Sequence, residues 1–106
     1  MNHPDISTCN SLDEVRSNID SIDRQIVAYL AERGGYVKQA AKFKKSSDDV
    51  RAPQRVEQVI NKVVTLAGEL GANATVTEQV YRAMISGFIS AELAEHAALQ
   101  DAVDAP

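Results

Sequence analysis

Between Leu12 and Phe43 the residues Leu12, Val15, Ile19, Ile22, Ile26, Tyr29, Arg33, Tyr36, Ala40 and Phe43 follow one another at alternating steps of three and four. That is the period of one face of a single helix. A helix of this length is a rod of about 48 Å at 1.5 Å per residue, and a rod so long in so short a chain needs something to lie against. Every member of the stripe is apolar or aromatic except Arg33. A guanidinium on an apolar stripe is costly to desolvate unless an anion meets it. Few acidic residues nearby look able to serve, so the expected partner is an anionic ligand.

A chain of 106 residues has room for one modest core, and association between helices would bury more apolar surface. The expected organisation is a disordered polar leader over 1–11, one helical domain over 12–100 and a frayed tail over 101–106. Cys9 is the single cysteine, which excludes a disulfide framework and suits a reducing compartment. Residues 1–11 contain Asp5 and no apolar run, and no apolar stretch is long enough to span a bilayer, so a cytoplasmic protein without membrane contact is expected. The net charge is −4, but Arg33, Lys38, Lys42, Lys44, Lys45, Arg51 and Arg55 crowd the middle against Glu32, Asp48, Asp49 and Glu57. Such a basic centre is ordinarily a solvated face, and it becomes informative only where a cation falls on an apolar stripe.

The fold class is all-α, with three helices whose ends can be read. Ser11 with Glu14 forms a capping box that starts helix one near Leu12. Gly34 and Gly35 interrupt that helix at a cost of about 1 kcal/mol each, which calls for either a kink or close packing. Lys45 to Arg51 is polar and aperiodic, so it reads as a loop and a potential mobile lid. Pro53 suits the first turn of helix two, whose apolar positions Val56, Val59, Ile60, Val63, Leu66, Ala67 and Leu70 keep helical spacing up to Gly71. Thr75 with Glu78 repeats the capping pattern and opens helix three, which continues through Val80, Tyr81, Met84, Ile85, Phe88 and Leu93.

Several charged groups then fall near these stripes. Arg33 and Lys44 are eleven residues apart, which on one helix puts them within roughly 20° of each other and about 16 Å apart along the axis. Their side chains could converge on one small anion. Arg16 points about 100° away from Arg33 and some 25 Å along the helix, so it cannot share that anion within one straight monomer. An antiparallel second chain would bring it in, as part of a homodimer; the other reading, which spacing alone favours, is a surface arginine. On helix three, Tyr81, Ile85, Phe88 and Glu92 lie at steps of four, three and four, so Glu92 extends an apolar row. Loss of solvent there favours the neutral carboxyl, a nearby arginine the charged one. The other reading of Glu92 is a carboxylate at the solvent end of the row, paired with a lysine.

The segments LDEVRSNIDSIDRQIVAYLAER, YVKQAAKFK and RAPQRV resemble the small all-helical chorismate mutases. In YVKxAxxFK and APxRV they are more similar still to the isochorismate pyruvate lyases. The resemblance spans Leu12 to about His96 and rests on the combined spacing. It implies an intertwined homodimer with two equivalent pockets, each holding a cyclic dicarboxylate between cations. Arg16 then resembles the arginine lent by the partner subunit, Arg33 the one that grips a ligand carboxylate, and Lys44 the lysine that contacts a carboxylate and the ether oxygen. Arg55 matches a supporting arginine, and Phe88 falls with Ala52 and Val56 on the pocket wall. Glu92 stands where many relatives carry a glutamine that donates to the ether oxygen, and a glutamate must be protonated to donate.

Where the mutases commonly read Asp-Pro-x-Arg-Glu, this chain reads Ala52-Pro53-Gln54-Arg55-Val56, so the acid expected to hold the C4 hydroxyl of chorismate is missing. The lyases show the same alanine and valine. The resemblance implies a pericyclic reaction without metal or cofactor, with conversion of chorismate to prephenate ranked first and cleavage of isochorismate to salicylate and pyruvate second. From other classes come a non-catalytic helical dimerisation or nucleic-acid-binding module, and a degenerate dimer that regulates a partner. Cations on core-facing stripes and the negative net charge speak against the nucleic-acid module.

Overall fold

The computed structural model describes residues 5–104, and these form helices and connections with no strand. The first four residues of the expected leader and the last two of the expected tail lie outside the described residues. Helix α1 spans Leu12–Ala41, α2 Ser47–Arg51, α3 Pro53–Leu70 and α4 Ala74–Asp104. The three long helices are those the periodicity predicts; α2 is an addition. Ser11 caps α1 as expected: its Oγ accepts the Glu14 N–H at 3.1 Å, while the Glu14 carboxylate accepts the Asn10 N–H at 2.9 Å. Pro53 opens α3, and Gly71 closes it in the left-handed region at φ 76°.

Three local expectations are corrected. Helix α1 stops at Ala41, short of Phe43, in a turn where Phe43 N–H bonds to Ala40 O. The segment expected as a loop or lid carries the one-and-a-half-turn helix α2, capped by Ser46, whose Oγ accepts from Asp49 N–H, and anchored by the buried Val50. Helix α4 is capped by Asn73 rather than Thr75: Asn73 Oδ1 accepts the Val76 N–H at 3.0 Å. Asparagine ranks above threonine as an N-cap.

Helix α4 is the hub against which α1, α2 and α3 all lie. Between α3 and α4 the core is built from Ile60, Val63, Ala67 and Ile85, with Ala41 and Val50 added from the α1 and α2 side. Arg82 of α4 ties the far side by a two-pronged contact to Glu57 of α3 at 3.0 and 3.1 Å and a bond to Glu78 at 2.9 Å. Hydrogen bonding from Arg82 holds the Glu57 carboxyl below its ordinary value. Its small surface contribution is therefore present above the unfolded carboxylate range and lost as pH falls through the lowered value.

Only the C-terminal part of α1 is engaged. Leu30, Arg33, Gly34, Val37 and Ala40 are half-buried and Ala41 is buried, whereas everything from Leu12 to Tyr29 is exposed. The stripe expected as core is thus half bare within one chain: Ile19, Ile22 and Ile26 are each about half exposed and Tyr29 is 68 % exposed. The molecule is correspondingly elongated, 64 × 27 × 19 Å. Helix α1 runs unbroken through Gly34 and Gly35. Close packing, not a kink, accounts for Gly34, where a Cβ would stand 3.1 Å from the Phe88 ring.

Candidate active site

Where α1, α2, α3 and α4 come together they enclose a cavity of about 350 Å³. Its floor and walls are apolar: Val37 and Ala40 from α1, Val50 from α2, Val56 and Val59 from α3, and Ile85, Phe88 and Ile89 from α4. Into it reach Arg33, Lys44, Arg51 and Arg55, with Glu92 as the one carboxylate. Four cations against one anion in a largely apolar hollow suit a small molecule with more than one negative charge.

Each cation is placed by a different element. Arg33 projects from the engaged part of α1 and lies over the Phe88 ring, 5.1 Å from its centroid. This contact shields one face of the guanidinium and leaves its edge, which carries the hydrogen-bond donors, for a carboxylate. Among the described residues neither Arg33 nor Arg55 makes an ion pair. Arg55 sits in the first turn of α3, two residues after Pro53. Arg51 ends α2, with Asp48 4.0 Å away.

Lys44 stands outside any helix, in the connection between α1 and α2. Its Nζ donates to Glu92 Oε2 at 3.0 Å, with the lysine side chain 27 % exposed and the glutamate 7 %. Both readings of Glu92 hold in part: it is desolvated as the apolar row implies, and it is paired with a lysine, though not at a solvent end. The helical extrapolation that aligns Lys44 with Arg33 fails, because α1 ends at Ala41, three residues before Lys44; the turn at Lys42 and Phe43 brings Lys44 to the same cavity by another route.

Ala52 links α2 to α3 and is both the last cap of one and the first cap of the other: its N–H bonds to Asp48 O at 3.0 Å and its carbonyl accepts from Val56 N–H at 3.1 Å. To do both it adopts φ 35°, ψ 63°, the one non-glycine residue in the left-handed region among those described. That conformation costs an alanine about 1 kcal/mol that a glycine avoids. Ala52→Gly is therefore expected to raise the unfolding free energy by up to about 1 kcal/mol in urea titrations.

Of the residues proposed from sequence, Arg33, Lys44, Arg55, Glu92, Ala52, Val56 and Phe88 all line this cavity. Arg16 does not: it is exposed on the free part of α1, as the spacing requires for a single chain. Sequence reasoning misses two residues. Arg51 reads only as part of the basic centre, although it immediately precedes Ala52. His96, 8 % exposed, bonds through Nε2 to the backbone oxygen of Lys44 at 3.0 Å; its position four residues after Glu92 is the available signal. Among the described residues no cluster of potential metal ligands occurs, and no helix is long and apolar enough to cross a membrane.

Residues 15–93, which contain every member of this cavity, match the family model of chorismate mutase type II. The chain belongs to the chorismate mutase type II family. Within it, the chain is 34 % identical over 85 residues to the isochorismate pyruvate lyase of Pseudomonas aeruginosa, an alignment that covers 80 % of this chain and 84 % of that protein. The matched stretch takes in α2, α3 and most of α1 and α4, and includes Ala52 and Val56 at the joint between α2 and α3.

Proposed function

We propose that the cavity binds chorismate and converts it to prephenate, with the dicarboxylate clamped by guanidinium groups and the breaking C–O bond assisted by Lys44. The observation that carries this reading is the meeting of Arg33, Lys44, Arg51 and Arg55 around one apolar hollow with a single carboxylate. The rearrangement breaks the enolpyruvyl ether bond as the methylene carbon bonds to the ring, so electrons are redistributed within one molecule and no proton, nucleophile or redox partner is needed. What a protein supplies is a compact substrate conformation and stabilisation of charge growing on the ether oxygen. Arg33 and Arg55 hold carboxylates by forked donors. Lys44 gives one hydrogen bond to Glu92 and keeps other donors for the ether oxygen.

The second reading is cleavage of isochorismate, with a ring hydrogen passing to the enolpyruvyl methylene to release pyruvate and leave salicylate. It is favoured by Ala52 and Val56, which offer no acceptor to the C4 hydroxyl of chorismate, and by the likeness to a lyase. Losing that hydrogen bond weakens chorismate recognition by about 1 to 3 kcal/mol, but leaves the groups facing the ether oxygen intact, so the rearrangement retains its machinery. Purified protein offered each acid in parallel decides the matter: prephenate from chorismate is expected, salicylate from isochorismate alone would transfer the assignment to the lyase, and turnover of neither would refute both.

The functional unit proposed is a homodimer. The free part of α1 presents Leu12, Val15, Ile19, Ile22 and Ile26 to solvent, and a second hollow of about 480 Å³, lined by Ile26, Tyr29, Leu30, Val80, Tyr81 and Met84 beside Arg33, lies open next to it. A contiguous apolar surface of this kind is a protein contact surface. An antiparallel second α1 would cover the stripe and carry its Arg16 across the roughly 25 Å to the other cavity.

Glu92 is proposed to donate to the ether oxygen when protonated. Glu92→Gln, whose amide donates without a titrating proton, should then keep or raise turnover, whereas Glu92→Ala should lose it. Steady-state kinetics of wild type and the two variants test this; equal turnover in the Gln and Ala forms would remove the role.

A further inference from the structure

Lys44 is the one cation of the cavity outside a helix, so its position depends on whatever grips it from elsewhere. Helix α4 grips it twice. Glu92 takes the ammonium at 3.0 Å, and His96, one turn later on the same face, meets the backbone carbonyl at 3.0 Å. Both are buried, at 7 % and 8 % exposure. His96 does not line the cavity and therefore acts on a ligand only through Lys44. A carbonyl oxygen only accepts, so the imidazole must carry its hydrogen on Nε2.

We infer that His96 is a positioning residue for Lys44, held as the Nε2–H tautomer, and that Glu92 and His96 together form a clamp on α4 that sets both ends of the lysine. The amides on this side are held to α1 and α2, Lys44 N–H by Ala41 O at 3.3 Å and Lys45 N–H by Asp49 Oδ2 at 2.9 Å, and His96 adds the bond that ties the Lys44 carbonyl to α4, the helix that also holds the ammonium. With the carbonyl also tied, the lysine stem spans two fixed points and its remaining donors face the hollow. This inference rests on the reading of the cavity as a dicarboxylate site for its kinetic consequence, but not for the tautomer or the bond itself.

The test compares wild type with His96→Leu, which removes the donor, and His96→Gln, whose amide nitrogen reaches about where Nε2 stands. His96→Leu is expected to lower kcat about tenfold, the worth of one buried hydrogen bond, with a smaller change in KM, and His96→Gln to recover most of the loss. Unchanged kcat in a folded His96→Leu, or no recovery in His96→Gln, would overturn the inference. If His96→Leu does not fold, His96→Asn replaces it, since its shorter amide imitates Nδ1; equal kcat in the Asn and Gln forms would then count against the role. Nitrogen-resolved NMR of the wild-type imidazole in mildly alkaline buffer should show the hydrogen on Nε2, and a hydrogen on Nδ1 overturns the proposal. If wild type turned over neither acid, the functional reading would fail, while the tautomer would still decide for or against the clamp.

Discussion

Arg33→Ala is expected to lower kcat/KM by about a thousandfold, the consequence of removing a forked, charge-assisted grip on a substrate carboxylate at about 1.5 to 3 kcal/mol per hydrogen bond. The fold should survive the change. Arg33 has no carboxylate partner among the described residues, so no buried anion is orphaned. The substitution removes the stacking of the guanidinium over Phe88, worth about 0.5 to 1 kcal/mol at a partly exposed site. Thermal unfolding beside steady-state kinetics on chorismate and isochorismate separates the two effects. A variant that stays within about tenfold of wild type on both acids would mean that the guanidinium serves packing against the ring and not ligand binding.

Mixing two inactive variants should restore activity if the cavities are shared between subunits. Arg16→Ala and Arg33→Ala are each expected to be nearly dead, because every cavity then lacks one of the two arginines. In a mixed dimer one cavity receives both defects and the other receives neither. With random exchange half the dimers are mixed, so about a quarter of all cavities become intact and about a quarter of wild-type activity returns. A self-contained cavity in each chain would leave the mixture at the mean of the two variants. The bare apolar face from Leu12 to Ile26 is what motivates the expectation, since a monomer would have to keep that surface in water.

The long helices are legible in the sequence because their signals are local. Ser11 with Glu14, Pro53 and Gly71 each act within one turn, and the apolar spacing of α3 follows directly from the face it buries. Helix α2 is not legible, because five residues are too few to show a period and the polar run Ser46 to Asp49 that caps it is also what a loop would contain. Thr75 masks Asn73 because a capping pattern recurs two residues later, inside the helix. The stripe on α1 shows the opposite limit: periodicity reveals an apolar face but not what covers it, and within one chain little covers the part before Leu30. In the cavity, the oddity of Arg33 and Glu92 on apolar rows is visible as a violation of pattern. The pairing of Glu92 with Lys44 and the reach of His96 to a backbone oxygen join residues about fifty positions apart and leave no periodic trace.

The joint at Ala52 has a bearing on how such a cavity diversifies. Two helices meet there through one residue whose amide and carbonyl are both spoken for, so Arg51 and Arg55 are geared together with no slack between them. Inserting or deleting a single residue would rotate one arginine by about 100° relative to the other and move it by about 1.5 Å. Exchange of side chains at positions 52 and 56 leaves that gearing untouched. A change of specificity at this joint is therefore open to side-chain exchange at constant chain length and closed to any change in the number of residues between the two arginines.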